Sequence, residues 1–143
     1  MSEDTNQLRV RLVTPERTLC EHAASAVELP ATSGYMEVLY GAAPLMAELG
    51  AGDVTLHGGP DGPESVSRYN VSWGFAEVLP DRVTILANDA LKPEEIDVSR
   101  AQEQLARGQK MWNEAGDSEE AYAVALHVIA EAEAKLTSAA EKN

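Results

Sequence analysis

Asp97, Arg100 and Arg107, in the stretch IDVSRAQEQLARG, are the residues whose types and spacing could serve a ligand. They open the one long run of helix-like sequence. Arg100 and Arg107 are seven residues apart, so on an α-helix they share a face, and two guanidinium forks on one face suit a phosphate group. Asp97 has two readings. It can cap the helix by accepting backbone N–H groups, leaving Arg100 solvated or paired within the helix, or it can accept hydrogen bonds from a ligand. Other reactive side chains are dispersed: His22 is expected on a loop, His57 on a strand and His127 on a helix. None stands at metal-ligand spacing from a Cys, Asp or Glu. Cys20, Glu21 and His22 are consecutive, but neighbours on an extended segment point to opposite faces. There is no phosphate-binding loop and no dinucleotide fingerprint. No catalytic residue and no metal ligand is therefore assigned.

The elements that must position these residues fall into two regions. Through about residue 90 the apolar residues follow a strand period, punctuated by Gly, Pro and Asp. LRVRLVTP sets Leu8, Val10 and Leu12 against Arg9, Arg11 and Val13, which predicts a strand with one buried face, ended by Pro15. SAVELP and YMEVLYG predict short strands. GDVTLHGGPDGPESVSRYNVSWG predicts a hairpin around a Gly/Pro/Asp tip, and FAEVLPDRVTILAND another, turning at Pro80-Asp81 with Val83, Ile85 and Ala87 on one face. Gly34, Gly41, Pro44, Gly50 and Gly52 read as tight turns. Short strands with frequent turns indicate a sandwich or barrel.

Beyond residue 90 the pattern becomes helical. Val98, Ala101, Leu105 and Trp112 stand near helical spacing, and Gly116 ends that run. Asp117 and Glu120 are spaced as a capping box for a second helix, whose stripe is Tyr122, Ala125, Ile129, Ala132 and Leu136. The short link predicts an antiparallel helix pair. The fold class is thus α+β: an N-terminal antiparallel β-sandwich, residues 1–90, then a C-terminal two-helix antiparallel hairpin, residues 91–143. An alanine stripe buries little apolar area, so the hairpin is expected to dock marginally and to be able to detach without unfolding the β part.

Composition bounds the function. The chain has 143 residues and a formal net charge of −13. A field of that sign repels nucleic acid and anionic membrane surfaces. The single cysteine excludes an internal disulfide and suits a reducing compartment. No apolar run approaches the roughly 20 residues that cross a bilayer, so no direct membrane insertion is expected. The start, MSEDTNQ, is acidic and polar, unlike a signal or transit peptide, which predicts a cytosolic and bacterial polypeptide. The last few residues are expected to be disordered.

The stretch SGYMEVLYGAAPLMAELGAGDV, taken with VTPERTL, YNVSWGFAEVLPDRVTILANDA and the tail beginning IDVSRA, resembles the epsilon subunit of bacterial F-type ATP synthases over about residues 8 to 140. That family's turn block reads G-x-x-G-[VI]-L-P-G-H-A-P-L. Gly34, Val38, Leu39, Gly41, Ala43, Pro44 and Leu45 match it, while Glu37, Tyr40 and Ala42 replace a Gly, a Pro and a His. The resemblance implies a non-catalytic rotor subunit of a proton-translocating ATP synthase. Its β-sandwich would touch the gamma subunit and the c-ring, at the cytoplasmic face of the bacterial inner membrane. Glu37, Tyr40, Gly41, Ala42 and Pro44 would form the loop facing the c-ring.

Ile96, Asp97, Arg100 and Ala101 match the family's [IL]-D-x-x-R-A motif, which in some members binds ATP between the two helices, and Arg107 matches a further arginine. The second helix departs from those members. It carries no arginine and one lysine, Lys135, beside Glu131 and Glu133, so the resemblance implies weak ATP binding or none, and no cofactor. In many members the hairpin also reaches into the catalytic alpha/beta head and blocks hydrolysis. From Lys92 onward there are 11 acidic and 6 basic residues, which suits such a contact poorly. The alternative is a free-standing regulatory protein that senses ATP through the hairpin.

Overall fold

The computed structural model describes residues 6–141. The expectations for the N-terminal MSEDTNQ stretch and for the final residues lie wholly or partly outside them. The chain divides into two compact units, Met1–Leu91 and Lys92–Asn143.

The first unit is built from seven strands: β1 (Leu8–Val13), β2 (Thr18–Ala24), β3 (Ala26–Ala31), β4 (Gly34–Leu39), β5 (Leu45–Gly59), β6 (Gly62–Leu79) and β7 (Arg82–Leu91). They hydrogen-bond in the order β2-β1-β7-β6-β5-β3-β4. Every neighbouring pair is antiparallel except β1 and β7, which run parallel from Arg9 beside Arg82 to Val13 beside Leu86. The two strands lie at opposite ends of the domain sequence, so the parallel pairing carries β1 and β2 onto the sheet. Ser25, the single residue linking β2 to β3, extends the β3–β5 pairing: its N–H and hydroxyl both donate to the His57 carbonyl, each at 2.8 Å, which brings the end of β2 beside β5. The sheet folds over itself, and the two layers share one core.

Strand periodicity fills that core. Leu8, Val10 and Leu12 of β1 meet Val27, Leu29, Leu49, Val54, Leu56, Val71, Val78, Val83 and Ile85, all essentially without solvent exposure. Cys20 and Tyr69 join them. Burial pushes the Cys20 thiol up, with hydrogen bonds to the Tyr69 side chain and the His22 backbone acting against it. His22 lies in β2 and not in a loop; its Nδ1 sits 2.9 Å from the Ala23 carbonyl oxygen.

Both expected hairpins form. β5 and β6 turn at Pro60-Asp61, between paired Gly59 and Gly62, and β6 and β7 turn at Pro80-Asp81, between paired Leu79 and Arg82. Gly50 and Gly52 are interior to β5 and not at turns. Beside them the pairing with β3 jumps, from Glu28–Thr55 to Ala31–Leu49. A Cβ at Gly52 would strike the Tyr35 hydroxyl and Pro30, so a glycine is needed for β3 and β4 to close over the bend. β6 bends at Trp73 and Gly74, with φ of 63° and 132°. A Cβ at Gly74 would run into the Leu86 carbonyl oxygen of β7.

The second unit holds a single 3₁₀ turn (Pro93–Glu95), α1 (Val98–Asn113) and α2 (Glu119–Ala140). The sandwich and the helix pair are the expected fold class. The cap of α2 is Ser118, whose hydroxyl accepts the Ala121 N–H at 3.1 Å, one residue after the expected Asp117.

Two outcomes follow. Gly74→Ala should lose about 2–4 kcal/mol of stability through left-handed strain and overpacking, read as a lowered urea midpoint; an unchanged midpoint would contradict the close approach of β6 and β7. Cys20 should resist alkylation at mildly alkaline pH in the folded chain and react on unfolding, since only the thiolate is nucleophilic.

Candidate functional site

The IDVSRA residues all lie in the second unit, and Ile96, Asp97 and Ala101 each have a visible structural task. Ile96 is buried and closes the 3₁₀ turn, its N–H donating to the Pro93 carbonyl at 3.2 Å. Asp97 is the N-cap of α1: its Oδ1 accepts the Arg100 N–H at 3.1 Å and its carbonyl accepts the Ala101 N–H at 3.0 Å. That carboxylate is therefore committed to the helix end. Ala101 is buried in the seam between the helices, and one heptad later so is Gly108. A Cβ on Gly108 would crowd the side chains of Ile129 and Val128. Arg100 and Arg107 each precede one of these seam residues, so both flank the seam, and both are exposed. They share a side of α1, as their spacing predicts.

α2 offers little to complete a phosphate site. Ala125 and Ala132 are its buried seam residues, and the Gln104 side-chain amide donates to the Val128 carbonyl at 3.3 Å. Trp112 and Tyr122 meet edge to face at 4.5 Å near the interhelical link. Lys135, the one lysine of α2, pairs with Glu131 at 3.1 Å, an i,i+4 contact within the helix. A triphosphate beside Arg100 and Arg107 would have to compete for that lysine and face Glu131 and Glu133.

The residues expected at a partner-contact loop do not all lie in one. Glu37 is within β4, paired with Glu28 of β3, and Glu28 contacts His57 at 3.2 Å. Tyr40, Gly41, Ala42 and Pro44 do form the turn from β4 to β5. The Gly41 N–H donates to the Pro80 carbonyl at 2.7 Å and the Ala42 N–H to the Leu39 carbonyl at 3.2 Å. Gly41 has φ of 89°, a conformation that glycine adopts without cost. The turn is thus tied to the tip of the β6–β7 hairpin, and exposes Leu39, Tyr40 and Leu45.

One further surface lies outside all of the candidate residues named from the sequence. On the outer face of the sheet Phe75 pairs with Leu86, Leu86 lies beside Val13, and Met46 stands one row away beside Glu77. Met46 is 64% exposed, Phe75 52% and Leu86 54%. The signal was present as uninterrupted apolar runs. ILA in β7 and FA in β6 put apolar side chains on both strand faces, where a one-sided strand alternates.

Residues 7–93 match the family model described as ATP synthase, Delta/Epsilon chain, beta-sandwich domain. The chain belongs to the ATP synthase epsilon-chain family. It is 42% identical over 107 residues to the ATP synthase epsilon chain of Koribacter versatilis, covering 73% of this chain and 71% of that one. With the epsilon chain of Priestia megaterium it shares 40% identity over 102 residues, 71% and 73% of the two chains. A chain in the Euglena gracilis mitochondrial ATP synthase structure (OSCP, F1 and c-ring) has the same fold, with a TM-score of 0.75 at 21% identity over 90% of this chain and 79% of that one. This epsilon-family chain has no described helix long and apolar enough to cross a membrane. Among its described residues no three His, Cys, Asp or Glu side chains cluster to hold a metal ion.

Asp97→Ala should cost about 1 kcal/mol of hairpin stability while Asp97→Asn costs little, because both native and Asn side chains can cap. Helicity loss on heating, followed by circular dichroism, reads the difference; equal losses in the two variants would contradict the capping role.

Proposed function

We propose that this epsilon-family chain is a non-catalytic rotor subunit of a proton-translocating bacterial F-type ATP synthase, peripheral to the cytoplasmic face of the inner membrane, and that it couples a gamma subunit to the c-ring. The observation that carries this reading is the exposed apolar ground on a domain of this family. Phe75, Leu86, Met46 and the half-buried Val13 lie together on the outer face of β6, β7, β5 and β1. A contiguous exposed apolar patch with charged side chains around it marks a protein interface. We assign the gamma subunit to that face. The c-ring is assigned to the β4–β5 turn, where Tyr40, Gly41, Ala42 and Pro44 stand beside exposed Leu39 and Leu45, with Glu37 in the strand leading into it.

Residues 1–90 then serve as the coupling domain and residues 91–143 as a hairpin with a regulatory part to play. The alanine and glycine seam between α1 and α2 buries little apolar surface per turn, so opening the hairpin costs little and contact with the alpha/beta head is within reach. A nucleotide site on the hairpin has less support. Arg100 and Arg107 supply cations from α1 alone, Asp97 is engaged as a cap, and Lys135 is engaged with Glu131. ATP binding through Ile96, Asp97, Arg100, Ala101 and Arg107 is accordingly weak, and a free-standing ATP sensor is not favoured.

Co-expression with the cognate gamma subunit should yield a complex that survives affinity purification, and Phe75→Asp with Leu86→Asp should release the chain while its own unfolding midpoint changes little. Failure of the unaltered chain to co-purify would contradict the reading. In calorimetry, millimolar ATP should give little or no heat with the isolated chain, and Arg100→Ala should not change it; a tight isotherm abolished by that substitution would instead favour the sensor.

A further inference from the structure

One row beyond the apolar strip, the same outer face changes character. Arg9 of β1 lies directly beside Arg82 of β7 in the parallel ladder, and Arg11 lies beside Thr84 one row further in. Glu21 stands next to Arg11 on β2 and Glu77 next to Thr84 on β6. Together these side chains line a groove of about 380 Å³. The groove holds three of the chain's 11 basic residues and two of its 24 acidic ones, a local reversal of a net charge of −13.

The charges within the groove are not balanced pairwise. Arg11 Nε lies 3.7 Å from Glu21 Oε2. Arg9 and Arg82 form no ion pair among the described residues, and both are exposed. Adjacent strands place neighbouring side chains about 5 Å apart, and like charges at that spacing repel and destabilise a sheet. Folding gains nothing from this pair. A carboxylate-bearing partner would gain from it, since each guanidinium can receive a carboxylate with two N–H groups and the two forks sit side by side.

We propose that the Arg9–Arg82 groove is an electrostatic clamp for an acidic segment of the protein that docks on the neighbouring apolar face, so that the partner presents apolar side chains to Leu86 and Phe75 and carboxylates to Arg9 and Arg82. The clamp rests on the gamma-subunit reading and adds the chemistry of the contact. Continuity supports it: Arg82 and Leu86 are on the same face of the same strand, four residues or about 13 Å apart, within the footprint of one docked helix or loop. Apolar contact is non-directional and holds a partner without fixing its register, and a pair of charges at one end supplies that register. A negatively charged protein also needs such a local cationic site to bring an acidic partner to the correct face.

The test uses the full chain and its cognate gamma subunit, with Arg9→Gln and Arg82→Gln made together. The double variant should weaken the complex about tenfold and flatten the rise of Kd with NaCl. The melting temperature of the free chain should stay level or rise, because the like-charge contact is gone. That opposite movement separates a clamp from a structural role, which would lower both. A complex of unchanged Kd and unchanged salt dependence would overturn the clamp while leaving the docking reading standing. No complex with the unaltered chain at any salt would overturn both. Retention of the unaltered chain, but not of the double variant, on phosphatidylglycerol vesicles with no change in gamma binding would overturn it too, by assigning the groove to a lipid headgroup.

Discussion

A strand has two faces, and a folded β-sandwich needs only one of them for its core. In this chain the inward positions of β1, β3, β5, β6 and β7 are filled by Leu, Val, Ile and Ala, with Tyr69 of β6, and have little solvent exposure. Apolar side chains at the other parity are thus surplus to folding. Phe75, Leu86 and Met46 are such residues, and keeping them in water has an unfavourable hydration cost that burial against a partner surface removes. That surplus is the ground on which a partner can dock.

The outer face is continuous across β5, β6 and β7 because β6 bends at Trp73 and Gly74 and still keeps register with both neighbours. Gly74 lets the two strands approach more closely than any side chain allows. Gly52 does the same for β3 and β4 over β5. Together these glycines let two long strands serve both layers, so that one continuous sheet carries the buried core, the apolar strip and the arginine groove in fixed relation.

Much of this was legible in the sequence. Period-2 runs at Leu8–Leu12 and Val83–Ala87 marked buried faces, and Pro60-Asp61 and Pro80-Asp81 marked the two hairpin tips. Asp97 was readable as a cap because Asp before a helical run has one cheap way to satisfy the first N–H groups. What escaped was non-local. Gly50 and Gly52 look like turn residues in one dimension, and only the approach of Pro30 and Tyr35 shows why they sit inside a strand. The parallel contact of β1 with β7 joins Arg9 to Arg82 across some seventy residues of chain, a juxtaposition no local pattern encodes. Ser118 took the cap expected of Asp117 because the chain leaves the Gly116 turn one residue later, a shift of the ordinary size for a helix end.

Three residues of the IDVSRA stretch have structural tasks of their own: Ile96 and Ala101 pack and Asp97 caps, while Arg100 and Arg107 remain exposed beside a seam where Lys135 is engaged with Glu131. We place the binding energy on the outer sheet face and not on the hairpin. Titrating isotopically labelled chain with the cognate gamma subunit, and following amide and methyl resonances, tests this most directly. Shifts should concentrate at Val13, Met46, Phe75 and Leu86 and extend to Arg9 and Arg82. Shifts confined to α1 and α2, with that face unmoved, would contradict it.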